Sequence, residues 1–274
     1  MIPASFDYVR VDSPEAAIAA LAEHGGDAKL IAGGHSLLPL MKMRLATPAL
    51  LVDVARIDDL SYIRLAGDTL EIGALTRHCE LEQSDILREN APLMAHVAAQ
   101  VGDPQVRHRG TIGGSLAHGD PASDLPAAAL ALAATFVARS PRGERRIPAT
   151  DFFTGFLETA LADDELLVEI RVPKTNGNRW SFQKFNRRAQ DWAIVGCAVV
   201  TGTDPGVALV NMGPTPRRAP GVEQALRDGA PAGDAAARAA DGTEPVTDLN
   251  ASAELRRQLA RVLVERALAD AGVS

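Results

Sequence analysis

Residues 29–37 read KLIAGGHSL, an apolar run closed by Gly33-Gly34-His35-Ser36, and residues 111–115 read TIGGS, a second glycine pair among hydroxyls. A strand running straight into paired glycines is a place where missing Cβ atoms let successive backbone N–H groups converge on an anion. Two such loops, far apart in the chain, can hold the two halves of a diphosphate from opposite sides. Taken alone, each pair is also what a tight turn requires. Neither follows the common phosphate motifs: the first lacks the lysine of GxxxxGK[ST], and no GxGxxG opens a helix. A dinucleotide bound here is bound without a Rossmann unit.

Outward from these loops, Ser13, Pro14 and Glu15 open a helix with Ile18 and Leu21 on one side and Gly25-Gly26 at its end. Residues 50–54 and 69–72 read as strands, the second entered by a Gly67-Asp68 turn, and Thr76 as the cap of the next helix. Residues 91–101 place Leu93, Met94 and Val97 at helical spacing. An alanine-rich helix starts near Leu125, and strands 136–139 and 166–172 lie around a basic turn at 141–146. The polar segment 174–178 marks a boundary, giving domains 1–176 and 177–274. Beyond it come strands at 182–185, 193–201 and 207–212. The last helix is capped by Ser252, with Leu255, Leu259, Val262 and Leu263 on its apolar face. Strands followed by helices without strict alternation predict an α+β fold.

Of 274 residues, 46% are hydrophobic and 23% charged, enough for a packed core. The net charge of −7 disfavours the phosphate contacts that dominate nucleic-acid affinity. The longest apolar stretch, 125–138, is shorter than the roughly 20 residues of a membrane helix. The opening MIPASFDYVR carries no secretory signal, so a cytoplasmic protein without a transmembrane segment is expected. The two cysteines, Cys79 and Cys197, supply neither a disulfide framework nor the four thiolates of an iron–sulfur cluster.

His118, Asp120 and Asp124 collect three ligand-type side chains in seven residues, but no second histidine stands at metal-binding spacing. The segment reads as a polar loop before a helix, with Asp124 either capping that helix or accepting from ligand hydroxyls. Ser36 has no recognisable His-Asp partners. No catalytic and no metal-ligating residue is assigned. Lys184, Arg187, Arg188, Asp191 and Trp192 are either a solvated strand end or a cationic wall facing a ligand.

The stretches LIAGGHSLLPLMKMRL, TIGGSLAHGDPASDLPAA, LLVEIRVP, FQKFNRRAQDWAIVGCAV and MGPTPRRA, in this order, resemble the FAD-binding subunits of the molybdenum hydroxylases, the xanthine dehydrogenase family. The look is closest to the medium subunits of aerobic carbon monoxide dehydrogenases. The resemblance implies a two-lobed FAD-binding domain of the vanillyl-alcohol-oxidase (PCMH) type followed by a smaller α+β domain. It places Lys29, Leu30, Ile31, Ala32, Gly33, Gly34, His35, Ser36 and Leu37 in the first FAD loop. Thr111, Gly113, Gly114 and Ser115 fall in the second, and Val101 and Gly102 lead into it. His118 and Asp124 match contacts on the ribityl or adenosine side, Leu166 and Leu167 the adenine end. Lys184, or Gln183 one residue before it, falls beside the flavin ring, where a lysine would stabilise a reduced flavin. Implied partners are a large molybdopterin subunit and a small subunit with two [2Fe–2S] clusters, in a dimer of heterotrimers. The implied role is electron transfer from the clusters through FAD to an external acceptor such as a quinone, with the complex also able to sit peripherally at the inner face of the cell membrane. A self-contained flavoenzyme of the same fold and a non-catalytic nucleotide-binding module are the alternatives.

Overall fold

The protein is described here by a computed structural model covering residues 2–175 and 177–274; Asn176, at the expected domain boundary, lies outside the described residues. The first lobe is β1 (Asp7–Arg10), α1 (Pro14–His24), β2 (Ala28–Ile31), α2 (Leu37–Lys42) and β3 (Leu50–Asp53), with a parallel sheet in the order β1-β3-β2. The Ser13 hydroxyl accepts from the Ala16 amide and Pro14 takes the first helical position, so α1 starts where the sequence says. Ile18 and Leu21 then pack with Val52 and Val54. The chain leaves this sheet at the end of β2, directly into Gly33-Gly34.

The second lobe begins with the hairpin β4 (Ile63–Ala66) and β5 (Thr69–Gly73). Six helices follow: α3 (His78–Gln83), α4 (Asp85–Asn90), α5 (Pro92–Ala99), α6 (Pro104–Arg109), α7 (Ile112–His118) and α8 (Asp124–Ala131). Then come β6 (Thr135–Ser140), β7 (Gly143–Pro148), α9 (Ala149–Phe152), β8 (Phe153–Gly155), β9 (Glu158–Thr159) and β10 (Leu166–Pro173). Its antiparallel sheet runs β4-β5-β10-β6-β7. Three expectations are corrected here. The basic stretch 141–146 is mostly strand β7, its arginines facing solvent or acids on the edge of the sheet. Thr76 caps no helix: its hydroxyl bonds both the amide and the carbonyl of Tyr62, while Arg77 stands at the start of α3. The second glycine pair is helical, inside α7, because the Thr111 hydroxyl accepts from the Gly114 amide and nucleates that helix.

The third unit is the sheet β11 (Trp180–Phe185), β12 (Val195–Val200), β13 (Gly206–Val210) and β14 (Arg217–Arg218), in that order, with α10 (Pro220–Arg227), α11 (Ala232–Ala236) and α12 (Ala253–Asp270). Every residue of β12 and β13 is buried, because the sheet is covered on both faces. Ala198, Val200, Ala208 and Val210 join the core containing α8, whereas Val195, Cys197, Val199, Val207 and Leu209 join the core under α12. Small residues dominate the α8 side because the helix lies close: a Cβ on Gly206 would overlap the Ala131 carbonyl. The apolar face of α12 also differs from expectation. Leu255 is 47% exposed, and the buried line runs Arg256, Ala260, Leu263, Val264, Ala267, Leu268. The rotation follows from Arg256, whose guanidinium donates to the Ile194 carbonyl and, at 2.7 Å, to Asp248.

Candidate functional site

The twenty residues named above for FAD all line one cavity of about 770 Å³, bounded by the two lobes and the edge of the third sheet. That lies within the roughly 300–1,000 Å³ of cofactor and small-molecule sites. The end of β2 and the following loop form one wall, from Lys29 to Leu37. Val101, Gly102, Thr111, Gly113, Gly114, Ser115 and His118 form the second, and Leu166 and Leu167 of β10 close the third. Asp124 and Lys184 meet in the lining. Gln183 does not take part: β11 alternates its side chains, and Gln183 donates to Asp270 at 2.6 Å on the other face.

The glycine loops work differently from one another. Among the described residues, nothing accepts from the amides of Gly33, Gly34, His35 or Ser36, four successive donors in a loop that lines the cavity. The amides of the second loop are already used. Ile112 donates to the Thr76 carbonyl, Gly113 to Ala74 at 2.8 Å, Gly114 to the Thr111 hydroxyl and Ser115 to the Thr111 carbonyl. The expectation of two equivalent amide clamps is therefore corrected: the first loop carries the free donors, and the second offers side chains. The glycines also have a packing reason that sequence did not reveal. A Cβ on Gly33 would overlap the Arg109 carbonyl, and one on Gly113 would lie 2.6 Å from the Ala74 oxygen. Gly34, at φ +74, occupies the left-handed region.

Asp124 begins α8 but does not cap it; Ser123 holds that position. Its Oδ2 accepts from Lys184 Nζ at 2.7 Å, while Oδ1 is buried without a partner. Burial raises the Asp124 carboxyl above its ordinary range and Lys184 opposes the rise. Lys184, 6% exposed, is thus neither a solvated strand end nor an unneutralised cation. His118 ends α7, half-buried, and burial lowers its pKa against the pull of Asp120. Sequence reading missed His78, 4% exposed in the cavity wall, whose pKa burial lowers to about 4. It also missed Leu157, Glu158, Thr159, Leu161 and Gln190, which joins the singled-out Asp191 and Trp192 at the cavity rim. A lone histidine and an irregular loop carry no periodic signal. Cys197 is wholly buried in β12 with its thiol pushed up to about 12, an inert core residue.

Residues 4–175 match the family described as FAD binding domain in molybdopterin dehydrogenase, and residues 180–271 the CO dehydrogenase flavoprotein C-terminal domain. The chain belongs to this flavoprotein family. Within it, the chain is 44% identical to the carbon monoxide dehydrogenase medium chain of Hydrogenophaga pseudoflava, covering 98% of this chain and 97% of the relative. It is 43% identical to the 6-hydroxypseudooxynicotine dehydrogenase complex subunit alpha of Paenarthrobacter nicotinovorans, over 99% and 96%. The solved carbon monoxide dehydrogenase of H. pseudoflava, in a form lacking the Mo-pyranopterin moiety of its molybdenum cofactor, superposes with a TM-score of 0.95 over 99% of this chain and 98% of that one. The protein is accordingly an FAD-binding oxidoreductase subunit of the medium-chain type. Four free amides beside a cavity of cofactor size fit a dinucleotide carrying a diphosphate.

Proposed function

We propose that this chain carries electrons within a molybdenum hydroxylase: a large molybdopterin chain oxidises the substrate, a small chain with [2Fe–2S] clusters relays electrons, and the chain described here passes them to an external acceptor such as a quinone. The observation that carries the reading is the convergence of four separated stretches of sequence on one cavity with unpartnered amides on one wall. Gly33 to Ser36 would hold the diphosphate by main-chain donors, and Ser115 and His118 would contact the cofactor from the opposite wall. Leu166 and Leu167 would pack against an apolar part of it. Asp124 and Lys184 would present a neutral, hydrogen-bonded pair rather than a bare charge. FAD, when bound, would supply redox chemistry that takes up electrons one at a time and releases them singly or in pairs.

The relatives named for carbon monoxide, 6-hydroxypseudooxynicotine and caffeine share this chain type at 39% identity or more, which supports substrate choice being made in another subunit. Domains of 1–176 and 177–274, a dimer of heterotrimers and a cytoplasmic complex complete the proposal. Among the described residues no helix is long and apolar enough to cross a membrane. The test is direct. Acid denaturation should leave FAD, not FMN, in the supernatant and no colour in the pellet. The isolated chain should be reducible by dithionite yet inert to carbon monoxide, aldehydes and purines, and substrate should bleach its flavin only with partner chains present. Substrate-driven bleaching of the isolated chain would overturn the proposal in favour of a self-contained flavoenzyme.

A further inference from the structure

Asn211, directly after β13, stands in the left-handed backbone region at φ +61, which asparagine tolerates better than most side chains. From there its two nitrogens reach two different segments beside the cavity. The backbone amide donates to the Pro121 carbonyl at 2.7 Å, in the loop that leads to Asp124. The side-chain Nδ2 donates to the Ala193 carbonyl at 2.9 Å, next to Trp192. Ser123 and Asp124 line the cavity on one side of this joint, and Gln190, Asp191 and Trp192 line it on the other. Each stretch is otherwise braced on itself. Asp120 accepts from the Ala122 amide at 2.8 Å and the Ser123 amide at 3.0 Å. In the turn between β11 and β12, Arg188 pairs with Asp191 at 3.0 Å, and the Asp191 amide donates back to the Arg188 carbonyl. Among the described residues, Asn211 is the one that hydrogen-bonds to both stretches.

Resting on the reading of this cavity as the FAD site, we infer that Asn211 is a positioning residue for the cofactor, setting the gap between the Asp124 wall and the 190–192 rim. It does so from behind, since Asn211 is not itself part of the cavity lining. The Lys184–Asp124 pair joins β11 to α8, and Asn211 joins the two loops beside that pair. Two demands meet in this one side chain. Glycine would keep the left-handed turn and lose the donor. Aspartate would keep the shape and set a second acceptor against the Ala193 carbonyl. Alanine would lose the donor and strain the backbone as well. A backbone conformation held away from the common regions, at a joint between two walls of a cavity, is where such constraint serves a site rather than a core.

The experiment titrates the full chain with FAD after flavin removal, beside urea unfolding of the flavin-free chain. Asn211→Gly should weaken FAD binding about five- to tenfold, the scale of one lost hydrogen bond. Val264→Ala, in the core under α12, should lower the urea midpoint at least as much and leave FAD affinity within about twofold of wild type. Asn211→Asp should bind FAD as weakly as the glycine variant at pH 8 and recover toward wild type at pH 5. There the carboxyl, raised by the carbonyl it faces, is protonated and again donates to Ala193. His118, Asp120 and Asp191 belong to the joined segments in every variant, so affinity is read as a ratio to wild type at the same pH. Wild-type affinity in Asn211→Gly, a pH-independent ratio in Asn211→Asp, or an equal loss in Val264→Ala overturns the inference and leaves the cavity reading intact. Undiminished FAD binding by Gly34→Val would bring down the cavity reading and this inference with it.

Discussion

Lys184 of β11 and Asp124 at the start of α8 meet at 2.7 Å, each side chain 6% exposed, joining the third sheet to the second lobe inside the cavity wall. Burial and charge oppose each other in this pair: desolvation raises the carboxyl and the ammonium pulls it back.

Lys184→Met should leave Asp124 buried and unpaired, at a cost of about 3–5 kcal/mol near neutral pH. The native carboxyl binds its proton more tightly than the unfolded one, so its stability contribution is full at low pH and is lost as pH rises through the raised value. Without the lysine that value climbs further. The deficit should be smallest near pH 4 and grow toward pH 8, measured by urea unfolding. A deficit equal at both pH values would contradict the pairing, and adding Asp124→Asn should restore part of the loss.

His78 gives the opposite sign. Its native pKa is lowered from 6.5 to about 4, so its contribution is full above pH 6.5 and disappears as pH falls through about 4. The shift corresponds to about 3 kcal/mol. In His78→Gln the stability profile between those pH values should flatten, and a variant profile parallel to wild type would show that other groups carry the acid sensitivity.

The glycine variants separate packing from ligand approach. Gly33→Ala and Gly113→Ala should lower the melting temperature of the flavin-free protein, because each new methyl meets backbone, costing about 1–3 kcal/mol. Gly67→Ala, at φ +63 with open space around it, should show backbone strain alone. If the flavin-free Gly33 and Gly113 variants melt like wild type yet lose FAD, the glycines serve the phosphate rather than the fold.

On α12, Arg256→Met should cost about 2–4 kcal/mol by leaving the Ile194 carbonyl and Asp248 without their donor. Leu255→Ser, on the exposed side, should stay within about 0.5 kcal/mol in the same denaturation experiment.

The glycine pairs were legible by residue type, whereas Lys29 to Ile31, Leu166, Leu167 and Lys184, which stand on β2, β10 and β11, came only with the family resemblance. Cap residues were equally legible at Ser13 and Ser252, where a hydroxyl meets an amide three residues on. What sequence could not show was the partner across space. Thr111 turned a presumed loop into a helix through one local bond, and Arg256 rotated α12 by reaching an atom 62 residues away. Strand β4 was missed because Ile63–Ala66 exposes most of its side chains and so lacks an alternating apolar face. His78 was missed because its burial depends on α6 and the Gly110 turn, which approach it from later in the chain.

The alternation along β12 has a consequence for exchanging parts between relatives. Ala198 and Val200 answer to the alanines of α8, while Val195, Cys197 and Val199 answer to α12, so one strand is fitted to two surfaces at once. A chimera joined in the 174–178 segment divides the chain where the family descriptions divide it, but it grafts a new sheet onto an old helix. Such a hybrid would need Gly206 and the small residues facing α8 from the same parent as α8 itself. Exchange at this seam thus asks of both parents that the residues facing α8 be small.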